Sequence, residues 1–140
     1  MKPINKMKIE FLSKSANESF ARVVAASFAA QLNPSIDILA DIRTAVSEAV
    51  TNAILHGYPD EIGIVQMECT LYHEHIEIIV QDFGKGIEDI ERAKTPLYTS
   101  RPELERSGMG FTVMETFMDS LEVESEPDKG TKVTMTKQLI

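Results

Sequence analysis

The chain has 140 residues, of which 43% are hydrophobic and 26% charged, and its formal net charge is −8. This length and composition predict one globular domain over residues 1–140. An acidic chain is a poor ligand for nucleic-acid phosphates, and no apolar run is long enough for a signal peptide or a membrane span. The single cysteine, Cys69, excludes an internal disulfide. We therefore expect a cytoplasmic protein that contacts neither nucleic acid nor membrane.

The first two predicted elements are a strand and a helix. The segment "MKIEFL", residues 7–12, alternates apolar and polar residues as a half-buried strand does. The following helix, residues 15–32, opens with Ser15 and Glu18 at capping-box spacing. Its apolar stripe at helical period leaves Arg22 exposed and consists of Phe20, Val23, Val24, Ser27 and Phe28.

A second helix is predicted from Ile36 to His56, where Gly57 and Pro59 end it. Two strands, a long irregular stretch, a helix and a closing hairpin follow. They cover residues 64–72, 75–82, 83–108, 109–120, 121–125 and 130–138, with one short helix near 87–93. Clustered helices with hairpin-paired strands predict a two-layer α+β sandwich, whose mixed, mostly antiparallel sheet is covered on one face by helices. The uncovered face should carry Glu10, Glu77, Glu122 and Lys132.

The second helix carries a polar stripe. Glu48, Asn52 and His56 lie at i, i+4 and i+8, away from its apolar face, and Thr44 and Asp41 extend the stripe. A solvated helix face is the ordinary explanation. However, Asn is a poor helix former, and a carboxylate beside an amide oxygen suits a hard cation or proton abstraction.

Two glycine motifs follow the helix. In "DFGKG", Asp82 at the end of a strand can accept hydrogen bonds from a ligand, and Gly84 and Gly86 allow close backbone approach. An ordinary turn is the alternative. In "RSGMGF", glycines precede a helix whose N-terminal N–H groups can bind an anion, and Arg106 can contact a terminal phosphate. A simple glycine N-cap is the alternative there.

Familiar nucleotide and metal motifs do not fit. Gly86 follows Gly84-Lys85 where a P-loop needs Ser or Thr, and neither glycine pair completes G-x-G-x-x-G. His73 and His75 lie in a predicted hairpin turn without a third ligand, so a solvated turn is favoured over a transition-metal site.

The order of these motifs resembles the Bergerat-type nucleotide-binding fold of gyrase, Hsp90, MutL and bacterial histidine kinases. Within that superfamily, "SEAVTNAILHGY" and "PLYTSRPELERSGMGFTVMETFMDSLEVES" are similar to segments of the sigma-F-type anti-sigma factors of spore-forming bacteria. The similarity runs from about Met7 to the last strand.

The resemblance implies that ATP and Mg²⁺ are bound. Asn52 corresponds to the metal-holding residue between the phosphates, and Glu48 to the general base for a substrate hydroxyl. Asp82 corresponds to the reader of the adenine amino group, supported by Thr131 through water.

The same resemblance assigns the remaining site residues. Gly84 and Gly86 shape the base pocket, and an ATP lid covers about residues 87–108. Backbone near the phosphates comes from Ser107, Gly108, Met109 and Gly110. Arg106 would lie near the γ-phosphate and the protein substrate, Arg22 would contact partner proteins, and His56 would lie near phosphate.

The implied function combines inhibition and catalysis. Such proteins bind a sigma factor as a homodimer and phosphorylate a serine of an anti-anti-sigma antagonist. A gyrase- or Hsp90-type ATPase would need further domains, and a histidine kinase would need an upstream phosphoacceptor helix. Two alternatives remain: a general-stress anti-sigma serine kinase of the same family, and a non-catalytic sigma-binding module with ATP as a structural ligand.

Overall fold

A five-stranded sheet is the framework of the protein. The computed structural model describes residues 2–94 and 110–140. Its strands are β1 (Asn5–Leu12), β2 (Ile64–Leu71), β3 (His75–Asp82), β4 (Ser120–Glu126) and β5 (Gly130–Gln138). Its α-helices are α1 (Ala16–Ala29), α2 (Ile36–Asn52), α3 (Ile90–Ala93) and α4 (Gly110–Phe117). The strand order is β1-β2-β3-β5-β4.

The predicted two-layer α+β arrangement is confirmed, with one difference. All of the strand pairs in the described residues are antiparallel, so the sheet is not mixed. The inner face buries alternate residues of β2 and β3 beneath the helices. The outer face carries the predicted polar residues, with Glu10 and Glu122 exposed and Glu77 and Lys132 partly so.

Helix α2 follows its predicted pattern. The Ser35 hydroxyl caps its start by accepting a hydrogen bond from the Ile38 N–H at 3.2 Å. Ile42, Val46 and Val50 are fully buried beneath it. After Asn52 the helix widens into a π-helical turn, Ala53–Gly57, which the sequence pattern did not indicate. Such turns occur often at functional sites.

Helix α1 differs from its prediction in two respects. Ser15 is the N-cap residue, but its side chain makes no capping hydrogen bond, so the capping box is absent. The buried face is formed by alanines, including Ala21 and Ala25, whereas Phe20 and Val23 are each 55% exposed. Small side chains let α1 approach α2 closely, which leaves Phe20 and Val23 on the outside, whereas Val24 and Phe28 of the predicted stripe are partly buried against the core.

Two features of the interior constrain the chemistry. Cys69 on β2 is fully buried, and burial raises the pKa of its thiol to about 12, so the thiol is unreactive. Lys137 on β5 lies 3.2 Å from the Asp41 carboxylate and donates to the Phe117 carbonyl at 2.6 Å. This lysine ties α2, α4 and β5 together and gives Asp41 a structural partner.

None of the helices in residues 2–94 and 110–140 combines the length and the apolar character needed to cross a bilayer.

Candidate functional site

A cavity of about 400 Å³ lies where α2 ends above the inner face of β3 and β5. It brings together residues that the sequence predicts from four separate segments. Those that line it are Asn52, His56, Asp82, Gly86, Gly110 and Thr131. The C-terminal part of the α2 stripe, Asn52 and His56, therefore faces a cavity, whereas Glu48 does not line it and Thr44 is exposed.

The start of α4 lies directly against Asn52 and Glu48. A Cβ atom built on Gly110 would be 3.2 Å from Asn52 Nδ2, 3.3 Å from Asn52 Oδ1 and 3.4 Å from Glu48 Oε2. Both side chains are half-buried. An amide oxygen and a carboxylate oxygen thus face one small space, which a larger residue at Gly110 would narrow. Oxygen ligands of this kind suit Mg²⁺, which is usually held by one or two protein groups together with phosphates.

Asp82 is a buried acid at the other end of the cavity. Its exposed fraction is 4%, and burial raises its pKa to about 6. The carboxylate accepts hydrogen bonds from the backbone N–H groups of Gly84, at 3.0 Å to Oδ1, and of Thr131. These two bonds lower the pKa in part. At neutral pH the group is a fixed carboxylate, suited to accept hydrogen bonds from a ligand amino group.

The turn after Asp82 packs on the π-helical turn. The Lys85 N–H donates to the Gly57 carbonyl at 2.9 Å, and a Cβ atom at Gly84 would lie 1.9 Å from that oxygen. Gly84 therefore packs on backbone and lines a smaller neighbouring cavity. This contact fixes the position of Asp82 relative to the end of α2.

Tyr58 is a buried residue that sequence reasoning missed. Its hydroxyl donates to the Ile64 carbonyl and accepts from the Phe83 N–H, both at 2.7 Å. Burial raises the pKa of this hydroxyl, so it remains protonated. The two bonds hold the backbone beside Asp82. The sequence around Tyr58, which follows the end of the polar stripe, does not indicate this role.

A second missed residue is Ser125 on β4. Its hydroxyl accepts from the Ile87 N–H at 2.7 Å and lies 2.8 Å from Thr131 Oγ1. The alternation in "LEVES" places this serine on the inner, otherwise apolar face. A polar residue on an apolar face was a usable signal.

The chain bends sharply beside this hydroxyl. Gly86 has a φ of +74°, and a Cβ atom there would lie 2.0 Å from the Glu126 carbonyl oxygen. Only glycine fits this conformation at such a short distance.

The charge of the cavity is mainly negative. Besides Asp82, its lining includes Glu88, Asp89 and Asp128, and these were not singled out from the sequence. Lys85 and His56 are the basic residues among the described lining. A polyanionic ligand therefore needs accompanying positive charge to bind here.

The structure does not bring the remaining predicted residues to the cavity, either because they are not described or because they lie on other elements. Arg106, Ser107, Gly108 and Met109, with lid residues 95–108, lie outside the described residues. Arg22 is on α1, with its side chain 43% exposed and 3.6 Å from the Glu18 carboxylate. His75 stacks its ring on Tyr72 at 4.7 Å, and residues 2–94 and 110–140 contain no metal-type cluster of His, Cys, Asp or Glu.

Comparison with known proteins identifies the family of this fold. The profile of the family described as "Histidine kinase-like ATPase domain" matches residues 11–137. A solved structure, that of the RsbU and RsbW domains of Rv1364c from Mycobacterium tuberculosis, aligns with a TM-score of 0.70 at 18% identity. The alignment covers 98% of this chain and 32% of that one, and at this identity it supports the fold alone.

Three curated relatives are much more similar. The anti-sigma F factor of Clostridium novyi is 63% identical over 136 residues, which cover 96% of this chain and 95% of the relative. That of Clostridium perfringens is 64% identical over 136 residues, with coverages of 96% and 97%. That of Thermoanaerobacter sp. is 62% identical over 139 residues, with coverages of 99% and 97%. The chain therefore belongs to the histidine kinase-like ATPase family and, within it, to the anti-sigma F factors.

Proposed function

We propose that this chain inhibits a sigma factor of the sigma-F type and uses Mg-ATP to phosphorylate a serine of its anti-anti-sigma antagonist. It would act in the cytoplasm as a homodimer, and residues 1–140 would form one ATP-binding kinase domain. The observation that carries the proposal is the cavity, because it joins Asp82 and Thr131 at one end to Asn52 and Gly110 at the other. The similar proteins are anti-sigma F factors, and this supports a sigma factor as the partner.

The base of the nucleotide is proposed to bind at the Asp82 end. Asp82 is held as a carboxylate by backbone N–H groups and accepts hydrogen bonds from the amino group of adenine. Thr131 pairs with Asp82 across β3 and β5 and supports it through water. Gly86 lines the cavity next to this end, and Gly84 packs behind it.

The phosphates are proposed to bind at the Asn52 end. Mg²⁺ held at Asn52 would supply positive charge to offset the phosphates, which the acidic lining of the cavity makes necessary. The Asn52 amide oxygen is the protein ligand for the ion, and His56 lies one turn farther along the same side. The N–H groups at the start of α4 face the phosphates with the positive end of the helix dipole. Arg106, Ser107, Gly108 and Met109 are assigned to the phosphates through the family likeness.

Glu48 is proposed as the general base. Its Oε2 atom faces the start of α4 beside Asn52, close to the place assigned to the terminal phosphate. A carboxylate there can orient a serine hydroxyl and accept its proton as phosphate transfers to the oxygen. Arg106 would stabilise the negative charge that develops on the transferring group.

The outer side of α1 is proposed to contact protein partners. Phe20 and Val23 are more than half exposed there, which is unusual for large apolar side chains. Arg22 lies on the same helix with a half-exposed guanidinium group. Aromatic and arginine side chains are enriched at protein interfaces, so this combination fits a docking surface.

The direct test is to incubate the protein with Mg-ATP and a candidate anti-anti-sigma protein and to locate phosphate by mass spectrometry. We expect one modified serine on the antagonist. An Asn52→Ala variant should lose Mg-dependent ATP binding in calorimetry and give no product. Wild-type affinity in that variant would contradict the metal assignment.

The same assay separates the alternatives. A protein that binds ATP and sigma factor but transfers no phosphate would be a non-catalytic sigma-binding module. Preference for a general-stress sigma factor over a sigma-F type in a competition pull-down would indicate the stress-type kinase.

A further inference from the structure

Lys137 is a charged residue on the inner face of β5, where it continues the alternation of the buried Val133 and Met135. Its side chain is only 13% exposed. The ammonium nitrogen lies 3.2 Å from the Asp41 carboxylate of α2 and donates to the Phe117 carbonyl of α4 at 2.6 Å. Taking an ion pair out of water costs free energy, so a gain in stability does not by itself explain a lysine at this position.

Helix α4 lies antiparallel along α2 between two points of contact. Its first residue, Gly110, is against Glu48, because a Cβ atom built there would be 3.4 Å from the carboxylate oxygen. Its last residue, Phe117, is joined through Lys137 to Asp41. Asp41 and Glu48 are separated by the same number of positions as the two ends of α4, which is about 10 Å of helix. The two contacts therefore define one position of α4 along α2.

The polar contact defines this position more sharply than the apolar contacts do. Phe111 and Met114 are buried on the side of α4 that faces the core, but apolar burial has no preferred direction. The contact of Lys137 is directional, and a cation is favourable at the C-terminal end of a helix dipole. Fixing the register of neighbouring elements is the best-attested use of buried ionic groups.

We propose that Lys137, together with Asp41, is a positioning residue that sets where α4 lies along α2 and thereby places the N–H groups at the start of α4 against the terminal phosphate of ATP. This inference rests on the proposed nucleotide site and adds how its phosphate end is held in place. Lys137 does not line the cavity, so it acts through the helix. Small displacements of groups that contact a reacting phosphate have large effects, which gives a distant anchor its influence.

The test replaces the whole ion pair by apolar residues, in the double variant Asp41→Leu/Lys137→Met. Calorimetry measures the dissociation constants for ATP and ADP, each with Mg²⁺. ATP affinity should fall about three- to tenfold, the value of one net hydrogen bond. ADP lacks the terminal phosphate, so its affinity should change by less than about twofold. Equal losses for the two nucleotides, or no loss for either, would overturn the inference.

The stability of two variants separates positioning from structural support. Replacing both partners of a buried ion pair often leaves stability unchanged or raises it, whereas removing one partner leaves an unpaired charge and lowers it. The double variant should therefore unfold at a urea concentration at least equal to that of the wild type, and Lys137→Met alone at a lower one. Both variants lose the link to α4, so both should show the same change in the ratio of ADP to ATP dissociation constants. A ratio that instead followed the urea midpoint would overturn the inference.

Lys6→Met/Glu68→Leu is the matched control. These residues form an ion pair of the same length, 3.2 Å, between β1 and β2 on the outer face of the sheet, opposite α4. Its removal should leave the affinities for both nucleotides unchanged. A change in the ratio as large as that of Asp41→Leu/Lys137→Met would overturn the inference while the nucleotide site stands. Absence of ATP binding by the wild-type protein overturns the proposed function as well.

Discussion

The layer between the helices and the sheet has two halves that use the same elements differently. In the filled half, Ile42 and Val46 of α2 lie with Met67 and Ile78 in one buried core cluster. In the open half, the continuation of α2 and β3 presents Asn52 and Asp82 to a cavity. Packing holds the filled half, whereas backbone hydrogen bonds such as that from Gly84 hold the polar groups of the open half. Substitutions should therefore alter stability in one half and ligand chemistry in the other.

The largest expected effect tests the open half. Glu48→Gln keeps the shape of the side chain but removes the proton acceptor, so phosphate transfer to the antagonist should fall about 10²- to 10⁴-fold. ATP affinity should stay within about threefold, because the proton acceptor contributes mainly to the transition state. Initial rates measure the phosphate transfer, and calorimetry measures the ATP affinity. Glu115→Gln, exposed on α4, is the control, and an unchanged rate for Glu48→Gln would remove the residue from catalysis.

The corresponding change in the filled half is Ile42→Ala. It should lower the free energy of unfolding by about 2–5 kcal/mol through lost burial and a residual cavity. Urea denaturation measures the change, and ATP affinity of the folded variant should match the wild type. Ile36→Ala, 81% exposed on the same helix, should cost less than about 0.5 kcal/mol. A strong loss of affinity in Ile42→Ala would show that the halves are coupled.

Substitution of Asp82 tests the comparison further, because it should raise the stability of the ligand-free protein and lower its affinity for ATP. Its folded-state pKa, about 6, lies above the ordinary 3.8, so the folded chain holds this proton more tightly than the unfolded chain. The contribution of protonated Asp82 to the free energy of unfolding is complete below pH 4 and is lost as the pH rises through 6. Asp82→Asn should therefore stabilise the ligand-free protein at pH 8 by about 2–3 kcal/mol while weakening ATP binding.

Thermal or urea unfolding between pH 4 and 8, with and without ATP, measures both effects of this change. Glu122→Gln, exposed on the outer face, should leave the pH profile unaltered. Equal stability of Asp82→Asn and wild type at pH 8 would contradict the expected cost of the buried charge.

The smallest effect is expected outside both halves, on α1. Arg22→Ala should weaken partner binding about tenfold and leave ATP affinity unchanged. Surface plasmon resonance with sigma factor and antagonist measures it, with Arg43→Ala, exposed on α2, as control. Parallel losses of partner and ATP binding would instead indicate misfolding.

Periodicity predicted the parts of the fold in which large side chains decide the packing. The apolar stripe of α2 and the alternation of β2 and β3 are regular, and the structure has them where the sequence places them. In α1 the same reasoning was right for Val24 and Phe28, which pack partly buried against the core, and wrong for Phe20 and Val23, because the small Ala21 and Ala25 form the buried face. Two helices approach closely where the side chains between them are small, and hydrophobic periodicity does not measure side-chain size.

The lining of the cavity was predictable where several polar residues share one face. The stripe of α2 pointed to Asn52, and the strand-end motif pointed to Asp82. The residues that orient others were missed, because their partners are distant in sequence: Tyr58 reaches Phe83 and Ser125 reaches Ile87. The π-helical turn has no local signature in the sequence, and its end at Gly57 is hydrogen-bonded to the turn after Asp82.

The buried thiol of Cys69 has a practical consequence for spectroscopy. With a pKa of about 12, the thiolate fraction at pH 8 is about 10⁻⁴, against roughly a quarter for an ordinary thiol with a pKa of about 8.5. A maleimide or nitroxide reagent would therefore select a cysteine introduced at an exposed position, such as Glu115 on α4, without removal of the native one. The wild-type sequence is already a suitable background for single-site labels that report on nucleotide and partner binding.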